Sequence, residues 1–277
     1  MIDLHLHTTA SDGTFSPSEL VSRARAAHLS IIAITDHDTT AGSLAARDAA
    51  REANLELIPG IEISAVADAR DVHMLGYFID PASPVMIAFL ETQRAERLRR
   101  VTEMGSRLAS LGCAIDVEPI LQAAVCGHSV GRPQIAQALI QAGHVASRDE
   151  AFSRFLEFGA PGFVPRRGAS PFDVIRVVHE SGGVVSMAHP GLTRRDDLIP
   201  EMAAAGLDAI EARHANHDDA TEARYRALAA EIGLLTTGGS DYHGDTGYRA
   251  SALGVVVMPS ADFESLWRAA ERRSSQR

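Results

Sequence analysis

Apolar residues recur along this chain in short blocks that polar loops and alanine-rich stretches separate. At the start, Ile2, Leu4 and Leu6 alternate with polar residues, which is the period of a β-strand with one buried face. Residues 30–35 instead form a continuous apolar run, typical of a strand buried on both faces of a parallel sheet. Strands that alternate with helix-length patterns predict an α/β fold.

The strand–helix alternation is interrupted once. Strand patterns cover residues 2–7, 30–35, 55–63, 72–79, 183–188, 207–212, 234–237 and 253–257. Between them, residues 81–165 show no convincing strand but predict a long arginine-rich helix over 85–111 and three shorter helices. We therefore expect an α/β domain of residues 1–80 and 166–277 that carries a helical insertion subdomain, residues 81–165. Most arginines of the long helix are expected to face solvent, paired with glutamates at helical spacings.

Composition narrows the class of protein without identifying it. The chain has 277 residues with 45% hydrophobic composition, enough for one large domain with an insertion. Its net charge of −10 argues against a nucleic-acid coat or a polybasic membrane surface, but permits a small anion in a locally positive pocket. Cys113 and Cys126 match no metal or redox spacing, so we expect free thiols and a cytoplasmic location. We expect neither a signal peptide nor a transmembrane helix.

Histidines and carboxylates gather where the predicted strands meet loops. His5 and His7 lie side by side on one face of the first strand, which suits one metal ion, although a half-buried strand gives the same pattern. Nine such residues stand at seven junctions: His5, His7, Asp12, His37, Glu62, His73, His189, Asp241 and His243. Because so many strand ends carry them, we predict one polynuclear metal site. A ligand set without thiolates suits Mn²⁺, Zn²⁺ or Fe²⁺.

The sequence around these residues also carries recognisable motifs. They read Asp3-Leu4-His5-Leu6-His7-Thr8, Thr35-Asp36-His37-Asp38, Gly60-Ile61-Glu62-Ile63-Ser64 with His73, and Ala188-His189-Pro190 followed by Gly239-Ser240-Asp241-Tyr242-His243. This set resembles the PHP (polymerase and histidinol phosphatase) family of amidohydrolase-like metal-dependent phosphoesterases. The insertion resembles that of a stand-alone subgroup through Gly131-Arg132-Pro133 and Phe163-Val164-Pro165-Arg166. That subgroup includes 3′,5′-nucleotide bisphosphate phosphatases and enzymes that trim short oligoribonucleotides.

The resemblance implies a distorted TIM-like (β/α)7 barrel and three divalent metal ions, with Mn²⁺ as our first choice. Carried over by motif, His5, His7, Glu62 and Asp241 hold the first ion, Glu62 bridges to a second ion held also by His73 and His189, and Asp12, His37 and His243 hold the third. The implied reaction is phosphomonoester hydrolysis by a hydroxide that bridges two of the ions.

Other residues are assigned roles beside the metal ligands. The leaving group needs a proton, and His214 is our candidate acid, with phosphate binding or support of a ligand as the alternative. Asp36 is placed in the catalytic set because it precedes His37, and we expect it to orient His37 or its neighbours rather than to bind metal. Arg132 and Arg166 are expected to bind a substrate phosphate, because a guanidinium group binds two oxygens at once.

These assignments favour one function and leave others open. Our first choice is hydrolysis of the 3′-phosphate of a nucleoside 3′,5′-bisphosphate. The alternatives are a 5′–3′ exoribonuclease acting on short oligonucleotides, a histidinol-phosphate phosphatase and a non-enzymatic regulatory domain that holds metal. We expect a small phosphorylated substrate, no long nucleic acid, no membrane partner, and a monomer or weak oligomer.

Overall fold

The computed structural model describes residues 1–244 and 253–275. Its strands are β1 (Ile2–Leu6), β2 (Ile31–Ile34), β3 (Glu56–Ala67), β4 (Arg70–Tyr77), β5 (Val184–Met187), β6 (Ala209–His214) and β7 (Leu235–Gly239). They form one seven-stranded sheet in sequential order. A parallel bridge between Leu6 and Tyr242 joins the two edges, so the sheet nearly closes into a barrel. The expected TIM-like α/β fold is confirmed.

One strand runs against the other six. β4 pairs antiparallel with both β3 and β5, whereas the remaining pairs are parallel. Only Asp68 and Ala69 separate β3 from β4, so these strands form a hairpin where a regular barrel would have a helix. Because β4 is reversed, its first residues lie at the rim where the other strands end. His73 therefore reaches the rim from the start of its strand.

Helices cover the outside of the sheet and build the insertion. They are α1 (Pro17–Ala26), α2 (Ala41–Ala45), α3 (Arg47–Glu52), α4 (Pro84–Ser110), α5 (Glu118–Val125), α6 (Arg132–Gln141), α7 (Arg148–Ala151), α8 (Pro171–Glu180), α9 (Pro190–Thr193), α10 (Ile199–Ala204), α11 (Asp219–Ile232) and α12 (Ser260–Ser274). A π-helical turn, Phe152–Leu156, follows α7, and a 3₁₀ turn, Asp196–Leu198, precedes α10. Among the helices of the described ranges, none has the length and apolar character needed to cross a bilayer.

The strand predicted over residues 253–257 is wrong. Most of these residues form a turn and a bend. Leu253 and Val257 pack against the apolar cluster beside β1 and β2, and Met258 donates its backbone N–H to the carbonyl of Ile2. The apolar pattern therefore reports packing against the barrel edge, which needs no strand ladder.

The insertion packs around an apolar core of its own. The buried members of this core all fall between Val101 and Val164, whereas Met86, near the start of α4, belongs to the core between the sheet and α8. Helix α4 is thus shared, since its first turns pack on the barrel and its later turns on the insertion. The domain boundaries given above stay a prediction.

Two arginines of α4 depart from the expected solvent-facing arrangement. Arg97 and Arg100 are only 8% and 3% exposed. Arg97 donates to the carboxylate of Asp38, and Arg100 donates to the carbonyl of Val164. Arg99 pairs with glutamates of its own helix, as expected. Helical spacing reveals partners within one helix but not these remote ones, which turn Arg97 and Arg100 inward.

The close approach of β7 to β1 depends on Gly239. A Cβ here would lie 2.4 Å from the Cβ of His5 and 2.6 Å from its backbone nitrogen, so β1 would have to move. We expect Gly239→Ala to lower the free energy of unfolding of the metal-free protein by about 1–3 kcal/mol, the usual cost of overpacking. Gly168→Ala is the control for chemical denaturation, because a Cβ there meets nothing closer than 3.4 Å. Equal changes in the two variants would contradict this account.

Candidate metal centre

Four overlapping groups of histidines and carboxylates lie at the barrel rim. In each group the possible ligand atoms all lie within 4.8 Å of one another. The groups found in the described ranges are His7, Asp12, His37 and His243; His5, His7, Glu62 and Asp241; His5, Glu211 and His214; and His37, Glu62 and His73. Because the groups share members, they form one continuous cluster, which we call the rim cluster.

Glu62 lies at the centre of the rim cluster and is fully buried. Its Oε1 lies 2.7 Å from Nδ1 of His73 and 3.2 Å from Nε2 of His189, and its Oε2 lies 3.3, 3.1 and 3.1 Å from Nε2 of His5, Nε2 of His7 and Nδ1 of His37. Burial opposes ionisation of this carboxyl. Electrostatic interactions with His37, His73 and His5 outweigh that effect and hold the pKa of Glu62 well below its usual value. Both oxygens are therefore available as ligands.

The surroundings separate the pKa values of two neighbouring histidines. Burial disfavours the charged form of His7, but contacts with Asp241 and Glu62 outweigh it and raise the pKa of His7 to about 9. For His37 burial prevails over the attraction of Glu62 and Asp12, and its pKa falls well below the usual value. Since a metal ion binds the neutral imidazole, binding at His7 must displace a proton.

Several ring nitrogens point into the cluster without making a hydrogen bond. Among the described residues, Nε2 of His7, Nδ1 of His37 and Nδ1 of His73 are buried and have no hydrogen-bond partner. Each nevertheless lies within 3.1 Å of an oxygen of Glu62. Buried polar atoms that approach one another without hydrogen bonding call for an ion or water that contacts both. Together with an imidazole and carboxylate donor set, this arrangement fits divalent metal ions.

The loop after β1 brings Asp12 to the same cluster. Its Oδ1 lies 3.2 Å from Nε2 of His243 and 3.8 Å from both Nε2 of His37 and Nδ1 of His7. The structure thus brings together the three residues expected to share an ion, Asp12, His37 and His243. His37 also faces Glu62 through its other ring nitrogen, so it belongs to two groups where the sequence suggested one.

His214 lies beside Asp241 and is almost fully buried. Its Nδ1 accepts the backbone N–H of Asn216 at 3.1 Å, which places the ring proton on Nε2 when the ring is neutral. This Nε2 lies 3.5 Å from Oδ2 of Asp241. A proton on Nε2 could be donated to a leaving group on this side of the cluster. The acid role of His214 stays a prediction.

Asp36 supports the loop that carries Asp12. One of its oxygens accepts the backbone N–H of Thr8 at 2.8 Å and the hydroxyl of Ser11 at 2.6 Å, and the other accepts the hydroxyl of Thr8 at 2.7 Å. Asp36 is fully buried. Its contacts go to this loop and not to the ring of His37, so any part of Asp36 in catalysis is indirect.

A cavity of about 130 Å³ adjoins the rim cluster at Asp12, His37 and His73. Four arginines line it: Arg97, Arg100, Arg132 and Arg166. The sequence analysis selects the last two as phosphate ligands, whereas it expects most arginines of the long helix to face solvent and does not single out Arg97 and Arg100. The cavity therefore combines the expected arginines with two that only the three-dimensional packing reveals.

Two carboxylates hold these arginines in place. Oδ2 of Asp71 accepts from Arg132 at 3.0 Å, and Oδ1 lies 3.3 Å from Nε of Arg166. Burial opposes ionisation of Asp71, but Arg166 and Arg132 outweigh it and hold its pKa below the usual value. Burial, followed by repulsion from neighbouring arginines, lowers the pKa of Arg100 to about 9. Four guanidinium groups thus face three carboxylates, Asp12, Asp71 and Asp38, so the arginines outnumber the acids around the cavity.

Comparison with known proteins decides the family. The model of the PHP domain matches residues 3–143 of this chain. The chain belongs to the PHP family. A 5′-3′ exoribonuclease of Haemophilus influenzae is 36% identical over 89% of this chain and 91% of its own length. A 3′,5′-nucleoside bisphosphate phosphatase of Chromobacterium violaceum is 33% identical over 87% of each chain.

A solved structure agrees with this PHP membership over nearly the whole chain. A protein of Bifidobacterium adolescentis, described as a candidate metal-dependent phosphoesterase, superposes with a TM-score of 0.87 and 36% identity. The match covers 96% of this chain and 95% of that one. The helical segment between α4 and the π-helical turn therefore belongs to the shared architecture.

Two carboxylates of this PHP protein escaped the sequence analysis. Glu211 is fully buried on β6 and contacts His5. The sequence feature that could have identified it is a single acidic residue inside an apolar strand pattern. Asp71 stands two residues before His73 on β4, so both side chains lie on the same face of that strand. The signal for Asp71 in the sequence was its place on the same strand face as the predicted ligand His73.

We expect His37→Ala to remove at least one metal ion per chain, because this side chain faces both Glu62 and Asp12. The measurement is elemental analysis after dialysis against a defined concentration of free Mn²⁺. His179→Ala is the matched control, since His179 contacts Asp208 outside the rim cluster. An unchanged metal content in His37→Ala, or an equal loss in both variants, would disprove the assignment.

Proposed function

We propose that this PHP protein is a metal-dependent phosphoesterase that removes one phosphate from a small nucleotide. Its first-choice substrate is a nucleoside 3′,5′-bisphosphate, cleaved at the 3′-phosphate. The observation that carries this proposal is the arginine-lined cavity beside the rim cluster. A substrate with two phosphates can place one at the cluster and the other at the arginines. The relative named a 3′,5′-nucleoside bisphosphate phosphatase supports this choice.

The proposed metal ligands are those that the sequence selects. They are His5, His7, Asp12, His37, Glu62, His73, His189, Asp241 and His243. We propose three divalent ions, with Mn²⁺ first and Zn²⁺ or Fe²⁺ as alternatives, because the donors are imidazoles and carboxylates. Bound there, the ions would supply an acidified water and offset negative charge on the phosphoryl oxygens.

The residues of the cavity are proposed to select the second phosphate. Asp71 fixes the guanidinium groups of Arg132 and Arg166, so less side-chain freedom is lost when a phosphate binds. A terminal phosphate carries about −1.5 to −2 charges at pH 7, more than the single charge of a phosphodiester. The positive balance of the cavity therefore favours a terminal phosphate. His214 is proposed to supply the proton to the leaving alkoxide, with phosphate binding as its alternative role.

A second candidate is a 5′–3′ exoribonuclease acting on short oligonucleotides. The name of the Haemophilus influenzae relative favours it, and an enzyme that starts at a phosphorylated 5′ end also needs a pocket for a terminal phosphate. The two candidates differ in their products. A cytoplasmic location, a monomer or weak oligomer, and the absence of long nucleic acid or membrane partners remain parts of the proposal.

A side-by-side assay separates the candidates. We expect the Mn²⁺-loaded protein to release inorganic phosphate and adenosine 5′-monophosphate from adenosine 3′,5′-bisphosphate, with a higher kcat/KM than for a short 5′-phosphorylated RNA or for histidinol phosphate. Products are separated by chromatography, and phosphate is measured directly. Mononucleotides from the RNA without phosphate release from the bisphosphate would favour the exoribonuclease instead.

Arg132→Ala tests the role of the cavity in substrate choice. Losing a hydrogen bond to a charged phosphate costs about 1.5–3 kcal/mol, which is roughly 10- to 150-fold in affinity. We therefore expect KM for adenosine 3′,5′-bisphosphate to rise by that factor, while hydrolysis of adenosine 3′-monophosphate, which lacks the second phosphate, is unchanged. Arg154→Ala is the control, because Arg154 pairs with Glu150 on the surface. Equal losses with both substrates would contradict a role in binding the second phosphate.

A further inference from the structure

Glu211 lies within the barrel on β6 and uses both of its carboxylate oxygens. It is fully buried. Its Oε1 lies 2.9 Å from Nδ1 of His5, and its Oε2 accepts the backbone N–H of His189 at 2.8 Å. A single side chain of β6 therefore contacts a residue of β1 and a residue in the turn after β5.

The contact with His5 decides which ring nitrogen carries the proton. An ionised carboxylate can only accept hydrogen bonds, so Nδ1 of His5 is the donor. The lone pair of the neutral ring is then on Nε2. That atom lies 3.3 Å from Glu62 and 3.3 Å from Asp241, inside the rim cluster. Glu211 thus fixes both the tautomer and the orientation of His5.

The contact with His189 acts on the backbone. His189 has φ 26° and ψ 60°, a left-handed backbone conformation that residues other than glycine seldom adopt. This turn leads from β5 into Pro190 at the start of α9, and it also returns the ring of His189 to 3.2 Å from Glu62. The hydrogen bond from the backbone N–H to Glu211 holds the residue in this conformation.

A direct metal-binding role for Glu211 fits the contacts less well. Glu211, His5 and His214 do form one of the four groups that can hold a cation. Both oxygens of Glu211 are already engaged, however, and Nδ1 of His5 is at hydrogen-bonding distance from one of them. The side chain is arranged to support other ligands.

We propose that Glu211 is a positioning residue that sets two metal ligands at once, the ring nitrogen of His5 and the strained turn at His189. This inference rests on the proposed metal centre and deepens it. His5 and His189 are assigned to different ions, so a defect at Glu211 weakens the binding of more than one ion. Among the side chains described above that are not themselves proposed ligands, Glu211 alone forms hydrogen bonds with two of the proposed ligands.

Glu211→Gln tests the inference with almost no change in shape. The glutamine amide offers one acceptor and one donor, so it can satisfy the N–H of His5 or that of His189, but not both in their present states. Mutation of such supporting groups typically costs about 10- to 100-fold in metal affinity. We expect that loss as a rise in the free Mn²⁺ concentration at half-saturation, measured with a competing chelator and by elemental analysis, with more than one ion per chain affected.

Asp208→Asn is the matched control. Asp208 makes the same two kinds of contact, accepting from Nε2 of His179 at 2.9 Å and from the backbone N–H of Val185 at 2.9 Å. Neither partner is a proposed metal ligand. We expect this variant to bind Mn²⁺ as the wild type does. Wild-type affinity in Glu211→Gln, or an equal loss in both variants, would overturn the inference.

A measurement on the wild-type protein covers the case in which Glu211→Gln does not fold. In the Zn²⁺-loaded protein with ¹⁵N-labelled histidine, long-range couplings report the state of each ring nitrogen. We expect His5 to carry its proton on Nδ1, and a proton on Nε2 would refute the role of Glu211. If the wild type binds no divalent ion, the metal centre and the proposed function fail together. If it binds ions and Glu211→Gln binds them equally well, only this inference fails.

Discussion

One buried carboxylate among five imidazole rings is the constraint on which the functional end of the barrel depends. Glu62 is inaccessible to water, and a buried charge is tolerated only when other groups compensate it. The five rings come from four parts of the chain: β1 and the residue after it, the loop after β2, β4, and the turn after β5. The strands must therefore close around Glu62 in one register. The reversed β4 brings His73 to Glu62, and Gly239 permits the close approach of β7 to β1.

Buried acids next to the proposed ligands provide the second level of organisation. Glu211 contacts His5 and the backbone of His189, whereas Asp36 holds the loop that carries Asp12. Asp38 follows His37 and binds Arg97 of the insertion and Arg166, the first residue after it. Each acid links a different pair of segments. Hydrogen bonds between protein groups thus help to set the geometry of the cluster.

The sequence predicted the elements and residues that follow a local rule. Alternation and apolar runs predicted eight strands, of which seven form. The polar residues at strand ends predicted eight of the ten members of the rim cluster as ligands, all but Glu211 and His214. The same reasoning failed where a partner is remote in sequence. Arg97 and Arg100 have the spacing of surface residues, but Asp38 and the carbonyl of Val164 draw them inward. The segment 253–257 is apolar because it packs on the barrel edge, and periodicity cannot distinguish such packing from a strand.

The distribution of charge connects the two halves of the site. The whole chain carries −10, yet the cavity beside the cluster holds more guanidinium groups than carboxylates. A small anion is attracted at short range, where the arginines dominate, while an extended polyanion also meets the acidic remainder of the surface. Asp38 adds a physical link, since it binds Arg97 and Arg166 one residue after His37. Asp38 thus connects the arginines of the cavity to the backbone next to a proposed metal ligand.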